Sequence, residues 1–332
     1  MVFLVLFYLF IYLLALLNLN FKNRTIRYFL LIIMFLFSAL RRNVGTDFEA
    51  YLSIQRGAYY DMNLVYFEPF HKLLYYLGVM IEYDYTYFIL TTIFIFYFLF
   101  KLLKDNNNIS DLIVFFFLTS GFYFYSLNGI RFFMSVIIFL YSYKYIDTNK
   151  VKYYIYILFA ITVHYTAIVL LFIPFLLKTF KRIPLKVYLF VIVVSFLFSN
   201  QISTVFESII SFLPILNNYT YYFEVESGML NIKHILDRLS LFVLTYYIIL
   251  NIKGSKINDI LYIFIIGVIL KLVLDQSLVR ISLYFTMTQI LLFPMLYKDY
   301  NNKYIPLVLV LYSSFVYFVY IYTNTSDILG ML

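Results

Sequence analysis

Twelve apolar runs, interrupted by gaps that hold most of the charge, dominate this chain. They cover 2–19, 27–40, 85–103, 111–127, 128–146, 153–163, 165–177, 187–200, 236–252, 258–274, 278–297 and 304–322. A helix satisfies its backbone hydrogen bonds internally, so segments that are apolar on every face can cross lipid. The strict apolar–polar alternation of a transmembrane barrel is missing from them. Composition agrees: 64% of the residues are apolar and 13% charged, where a soluble domain is about half apolar and about a quarter charged. The expectation is an all-α integral membrane protein, a polytopic helical bundle of about 11–12 transmembrane segments forming one domain over residues 1–332. A soluble enzyme, a disordered chain and a nucleic-acid-binding domain are excluded, because the +8 net charge lies in the gaps between runs. Runs 27–40, 153–163 and 165–177 fall short of the ~20 residues of a full span and are expected to be tilted, re-entrant or extended into the headgroups. Residues 1–17 lack a basic leader and a small-residue cleavage site, so a retained span is expected there.

The cations fall into two sets. One set of gaps holds Lys22, Arg24, Arg27, Lys101, Lys104, Lys144, Lys150, Lys152, Lys178, Lys181, Arg182, Lys186, Lys253, Lys256, Lys298 and Lys303. By the positive-inside rule this set is cytoplasmic and both termini face outward. The run 153–177 begins and ends beside this set, so it is expected to cross twice with its tip near His164. The opposite set is Arg41, Arg42, Arg56, Arg131, Lys233, Arg238 and Arg280. Topology is indifferent to which cation is used, yet the first set is mostly Lys and the second mostly Arg. Arg presents a planar fork that grips phosphate or carboxylate with two bonds, while Lys is a point charge. Outward-facing arginines therefore point to an anion site on that side.

Two outward-facing loops, about 41–68 and 200–236, exceed ordinary connections. Both interleave aromatics with charges, a pattern suited to sugars, whose rings stack on Tyr and Phe and whose hydroxyls need donors and acceptors. Within the second, 201–213 has the apolar spacing of an interfacial helix. With no Trp in the chain, many of the 37 Tyr also serve as the interfacial aromatic belt.

Chemistry is narrowed by what is missing. The chain has no Cys and three His, His71, His164 and His234. No HExxH, GxGxxG or phosphate-binding P-loop occurs, so no metal, cofactor or nucleotide is expected, and energy must come from the substrate or a gradient. Ionisable residues in or beside apolar runs are the functional candidates. Arg41 and Arg42 close the second run, Glu68-Pro69 opens the short apolar stretch 70–81, and Arg131 and Arg280 sit at run junctions. Arg238 follows Asp237 at the start of a run, and His164 interrupts a long apolar stretch. Lys271 is expected to pair with Asp275 in a structural role.

Four stretches, in order, resemble the EpsG/Wzy group of membrane polysaccharide polymerases. The first is Arg41-Arg42-Asn43-Val44-Gly45-Thr46-Asp47 followed by Tyr51 and Glu68-Pro69. The second is Asn128-Gly129-Ile130-Arg131. The third is Ala160-Ile161-Thr162-Val163-His164-Tyr165-Thr166-Ala167, with Val163 where the group has an aromatic and Thr166 where it has Ser. The fourth is Arg280-Ile281-Ser282-Leu283-Tyr284. The resemblance implies a metal-independent glycosyltransferase on the outer face of the bacterial plasma membrane. It would join undecaprenyl-pyrophosphate-linked oligosaccharides, as donor and acceptor, amid membrane lipid, with a chain-length regulator as a possible partner. Arg131 and Arg280, then Arg41 or Arg42, would stabilise the leaving pyrophosphate. His164 or Asp47 would accept the acceptor's proton; imidazole ordinarily titrates nearer neutrality, whereas Asp47 lies in the fuller motif. Tyr51, Glu68 and Arg238 would hold substrate. Rival readings are a flippase or transporter of lipid-linked sugars, a ligase handing finished glycans to another acceptor, and a membrane acyltransferase.

Overall fold

The computed structural model describes residues 2–45, 47–58, 68–198, 201, 232–252, 259–273, 279–299 and 304–329. They form helices with no strand among them, as expected of a helical integral membrane protein. Helix α1 (Val2–Phe21) shows why lipid is the solvent: Tyr8, Ile11 and Ala15 are buried while Leu6, Leu13 and Leu17 on its other face are exposed. Both faces are apolar, so water suits neither. Leu4–Phe21, Thr86–Asp105 and Tyr304–Tyr322 are each long and apolar enough to cross a membrane. Asn107–Thr119 with Phe122–Asn128 adds a fourth if the pair counts as one broken span, while Ile130–Ser142, Tyr165–Phe180 and Leu185–Leu197 are apolar but shorter.

The chain forms two compact units, Met1–Ile168 with Ser313–Leu332, and Val169–Tyr312. In the first, α2 (Arg24–Leu40), α5 (Thr86–Asp105), α8 (Ile130–Ser142) and α10 (Lys150–Val163) pack in that order, each against the next. Polar residues punctuate them. The Asn23 side chain accepts from the Thr25 amide at the start of α2, and Asn149 accepts from the Lys152 amide at the start of α10. α5 and α8 run parallel to each other and opposite to α2 and α10. The end of α2, the starts of α5 and α8 and the end of α10 meet at one end through Arg41, Phe88, Glu68, Arg131 and His164. At the opposite end Lys144 pairs with Asp105 at 2.5 Å and Lys152 lies over Tyr145. Also remote from the first end, Arg27 of α2 reaches Ser110 and, at 3.0 Å, Asp111.

Several expected runs are broken. The run 111–127 divides into α6 (Ser110–Thr119) and α7 (Phe122–Asn128), bent by 56°. Gly121 makes the bend with φ +80°, and a Cβ there would lie 2.6 Å from the Tyr320 ring. The run 128–146 is α8 plus a short turn, α9 (Tyr145–Thr148). Run 165–177 enters a 3-10 helix, Tyr165–Phe172, and then α11 (Ile173–Phe180). The loop 41–68 contains helix α3 (Phe48–Ala58) and leads into α4 (Pro69–Ile81). Residues 59–67 and the interfacial helix expected at 201–213, beyond residue 201, lie outside the described residues, as does most of the loop 200–236.

The second unit packs α12 (Leu185–Leu197) with the helices Ile232–Asn251 and Asp259–Val273. The expected run 278–297 is two helices, Val279–Thr286 and Gln289–Asp299. At Gly267 the helix Asp259–Val273 approaches Val279–Thr286 so closely that a Cβ would lie 2.6 Å from the Phe285 Cβ and the Thr286 amide nitrogen. Small residues permit such crossings where lipid offers no hydrophobic drive. Lys181 pairs with Asp259. Lys271 pairs with Asp237 at 2.5 Å, and its expected partner Asp275 lies outside the described residues. The Lys271–Asp237 ion pair joins two helices and so brings together residues distant in sequence.

Candidate active site

The site is built at the end of the first unit where α2, α5, α8 and α10 meet. After α2 the chain turns through Gly45, which has φ +100° and packs against α7; a Cβ there would lie 2.4 Å from Asn128 Oδ1 and 3.1 Å from the Leu127 carbonyl oxygen. The Val-Gly-Thr-Asp stretch and the Asn-Gly-Ile-Arg stretch are thus one contact, and Gly45 sets the spacing between them. Gly45→Ala is expected to impose both a strained φ and a clash, costing about 1–3 kcal/mol. A lower thermal unfolding temperature in detergent, with reduced activity at matched protein level, checks this.

Glu68 is the centre. It is the N-cap of α4, with Pro69 following, but its side chain does not cap the helix. The carboxylate instead reaches across to two other helices. Oε2 accepts from Arg131 Nη1 at 2.7 Å and Oε1 meets His164 Nδ1 at 2.7 Å. Glu68 is 3% exposed, His164 is buried, and the Arg131 side chain is 30% exposed. Burial alone would push the Glu68 carboxyl up. The His164 hydrogen bond and the Arg131 charge outweigh it and hold the carboxyl at about 2. Glu68 is therefore an anion at any physiological pH.

His164 is where it is because α10 stops there. Its backbone is extended, φ −154° and ψ 119°, its amide donates to the Ala160 carbonyl, and its own carbonyl opens the 3-10 turn by accepting from Ala167. Nδ1 is engaged by Glu68, while Nε2 is buried and has no hydrogen-bond partner among the described residues. Phe132 packs edge-on to the ring at 5.8 Å.

Aromatics wall the cluster. Tyr51 of α3 hydrogen-bonds Arg131 and stacks on Tyr87 at 5.4 Å, which stacks on Tyr75 at 4.4 Å. Next to this stack lies His71, buried, with Nδ1 2.9 Å from the Tyr87 hydroxyl. Burial holds its ring well below the usual histidine range, so it is neutral. Arg41 is buried as well, its guanidinium 5.0 Å from the Phe88 ring centre, with Nη1 donating to the Ser38 carbonyl and Nε and Nη2 unpartnered among the described residues. A buried guanidinium with no carboxylate on it is costly in low dielectric and favours an anion nearby.

The fold therefore brings Tyr51, Glu68, Arg131 and His164 into one cluster, with Arg41 behind the tyrosines. Asp47 is half-buried in the turn before α3, and its charge reaches the Tyr51 hydroxyl. Arg42 is exposed, 5.0 Å from the Tyr85 ring centre. Arg238 and Arg280 belong to the second unit. Arg238 is half-buried beside Asp237, and Arg280 is exposed at the second position of its helix. His71 is the participant that single-residue reasoning passes over. Its signal was its place three residues after Glu68, on the same helix face. No group of three or more metal-ligating side chains occurs among the described residues.

Residues 24–330 match a sequence family described as the EpsG family. No curated protein and no solved structure matches the chain.

Proposed function

Since the chain belongs to the EpsG family, a family of Wzy-like polysaccharide polymerases, we propose that it joins lipid-linked oligosaccharide repeats at the outer face of the bacterial plasma membrane. The donor is a glycan on undecaprenyl pyrophosphate and the acceptor is a lipid-linked repeat unit. The acceptor hydroxyl oxygen bonds to the donor's anomeric carbon, and the bond from that carbon to the pyrophosphate oxygen breaks. The electron pair leaves with the pyrophosphate and the hydroxyl proton goes to a base.

The observation that carries this reading is the Glu68 carboxylate held between His164 and Arg131. By accepting Nδ1–H, Glu68 selects the tautomer whose Nε2 lone pair can take a proton, and it stabilises the imidazolium that results. Arg131, partly exposed, stabilises the negative charge that develops on the leaving pyrophosphate, where a preorganised guanidinium does most good. Arg41 adds positive potential behind the tyrosines. Tyr51 orients Arg131 and presents a ring edge to sugar. Arg42 is a further substrate contact and Asp47 the alternative base; Arg238, for substrate, and Arg280, for the leaving group, stay candidates carried by the second unit.

The test is a gel of surface polysaccharide from a strain lacking this protein. Single repeats in that strain, restored to a ladder by the wild-type protein, establish a polymerase. Lipid-linked repeats stranded on the cytoplasmic face would instead indicate a flippase, and polymer made but unattached would indicate a ligase. In the same assay Arg131→Lys keeps the charge and loses the fork. A hydrogen bond to a charged group is worth about 1.5–3 kcal/mol, so polymerisation should fall about 10- to 100-fold at equal protein level. A wild-type ladder from Arg131→Lys would remove the fork from the mechanism.

A further inference from the structure

At the end of the first unit opposite Glu68, three lysines converge on four tyrosines. Lys101 Nζ lies 4.6 Å from the Tyr97 ring centre and 5.5 Å from that of Tyr141. Lys144 Nζ lies 4.1 Å from the Tyr141 ring centre and 4.7 Å from that of Tyr145. Lys152 Nζ lies 5.6 Å from the Tyr145 ring centre, and Tyr145 stacks on Tyr156. The cluster joins the end of α5, the end of α8 and the start of α10.

Its charge is unbalanced. Asp105 pairs with Lys144. Lys101 and Lys152 pair with no carboxylate among the described residues. Two ammoniums over the single Tyr141 ring repel each other, and their contacts with the Tyr97 and Tyr145 rings offset only part of that repulsion. The surroundings name the missing charge. Exposed Ile93 and Phe100 of α5 and exposed Ile155 and Leu158 of α10 form apolar faces running away from the cluster. Tyr97, itself half-exposed, marks headgroup depth, where tyrosine hydroxyls and basic side chains meet phosphate.

We infer that Lys101, Lys152 and the Tyr97–Tyr141–Tyr145–Tyr156 cluster form a binding site for the phosphodiester headgroup of an anionic phospholipid, whose acyl chains lie along α5 and α10. The site is remote from Glu68 and does not depend on the polymerase reading.

The full-length protein, purified in neutral detergent and loaded with phosphatidylglycerol and phosphatidylcholine in equal amounts, tests this by native mass spectrometry. Wild type should retain phosphatidylglycerol in preference to phosphatidylcholine by about tenfold. The double variant Lys101→Gln/Lys152→Gln should lose that preference. Lys22→Gln/Arg24→Gln, which removes equal charge from an exposed turn, should keep it. Thermal unfolding without lipid should be the same for all three. Inorganic phosphate at matched ionic strength should leave the lipid bound. Equal retention of the two lipids by wild type would overturn the site, as would an equal loss in both double variants, which means diffuse charge. Displacement by inorganic phosphate would overturn the assignment to a lipid.

Discussion

His164→Asn should lower the polymerisation rate about 10²–10⁴-fold, the range for losing a positioned general base, while the amount of protein in the membrane stays the same. The choice of Asn follows from the geometry. Its amide places an N–H near the position of Nδ1, so the 2.7 Å contact to Glu68 has a replacement donor and the carboxylate stays satisfied. What disappears is Nε2, the ring nitrogen that no described residue engages. His164→Ala removes both and should lose stability as well as activity, so the two variants separate packing from proton transfer. The readout is the ladder from a complemented deletion strain, normalised to protein by immunoblot. A full ladder from His164→Asn would transfer the base role to Asp47, and Asp47→Asn would then become the inactive variant.

Glu68→Gln is the second large effect. Gln keeps the volume but offers one acceptor and one donor to a place where Arg131 and the His164 Nδ1–H both donate. One of them must face an amide N–H. Breaking a fully buried pair costs about 3–5 kcal/mol. The Arg131 side chain is 30% exposed, so water takes up part of its charge. The expected loss is nearer the 1–3 kcal/mol of a buried donor without its acceptor. Activity should fall at least ~10²-fold, since both the base and the pyrophosphate donor lose their orientation. The two effects separate with pH. The folded carboxyl is held at about 2, below its ordinary 4.5. Its contribution to stability is therefore complete above about 4.5 and is lost as pH falls toward about 2. The gap in unfolding temperature between wild type and Glu68→Gln should be constant from pH 5 to pH 7 (roughly, by the same linkage) and shrink below that. A gap that stays unchanged at the acid end would show that the Glu68 charge does not stabilise the fold.

The break at Gly121 was not legible in advance. Gly121 is one glycine in an apolar stretch, and its 56° bend is explained only by Tyr320 pressing where a Cβ would stand. The Lys271–Asp237 pair was equally invisible in the sequence, because it joins facing helices rather than residues of one turn. The end of α10 at His164, by contrast, matches the division of the apolar runs at that residue, while the Glu68 partner of its ring does not show in the local sequence.

By itself the amino-acid sequence determined the helical membrane class and which residues were chemically conspicuous. Apolar runs must close their own hydrogen bonds, and an ionisable group beside lipid needs a reason to be there. Tertiary structure alone decided which of those residues act together. Glu68 lies 63 residues from Arg131 and 96 from His164. Such partners are chosen by how α4, α8 and α10 pack, through contacts like Gly45 on Asn128, and no local spacing encodes that choice.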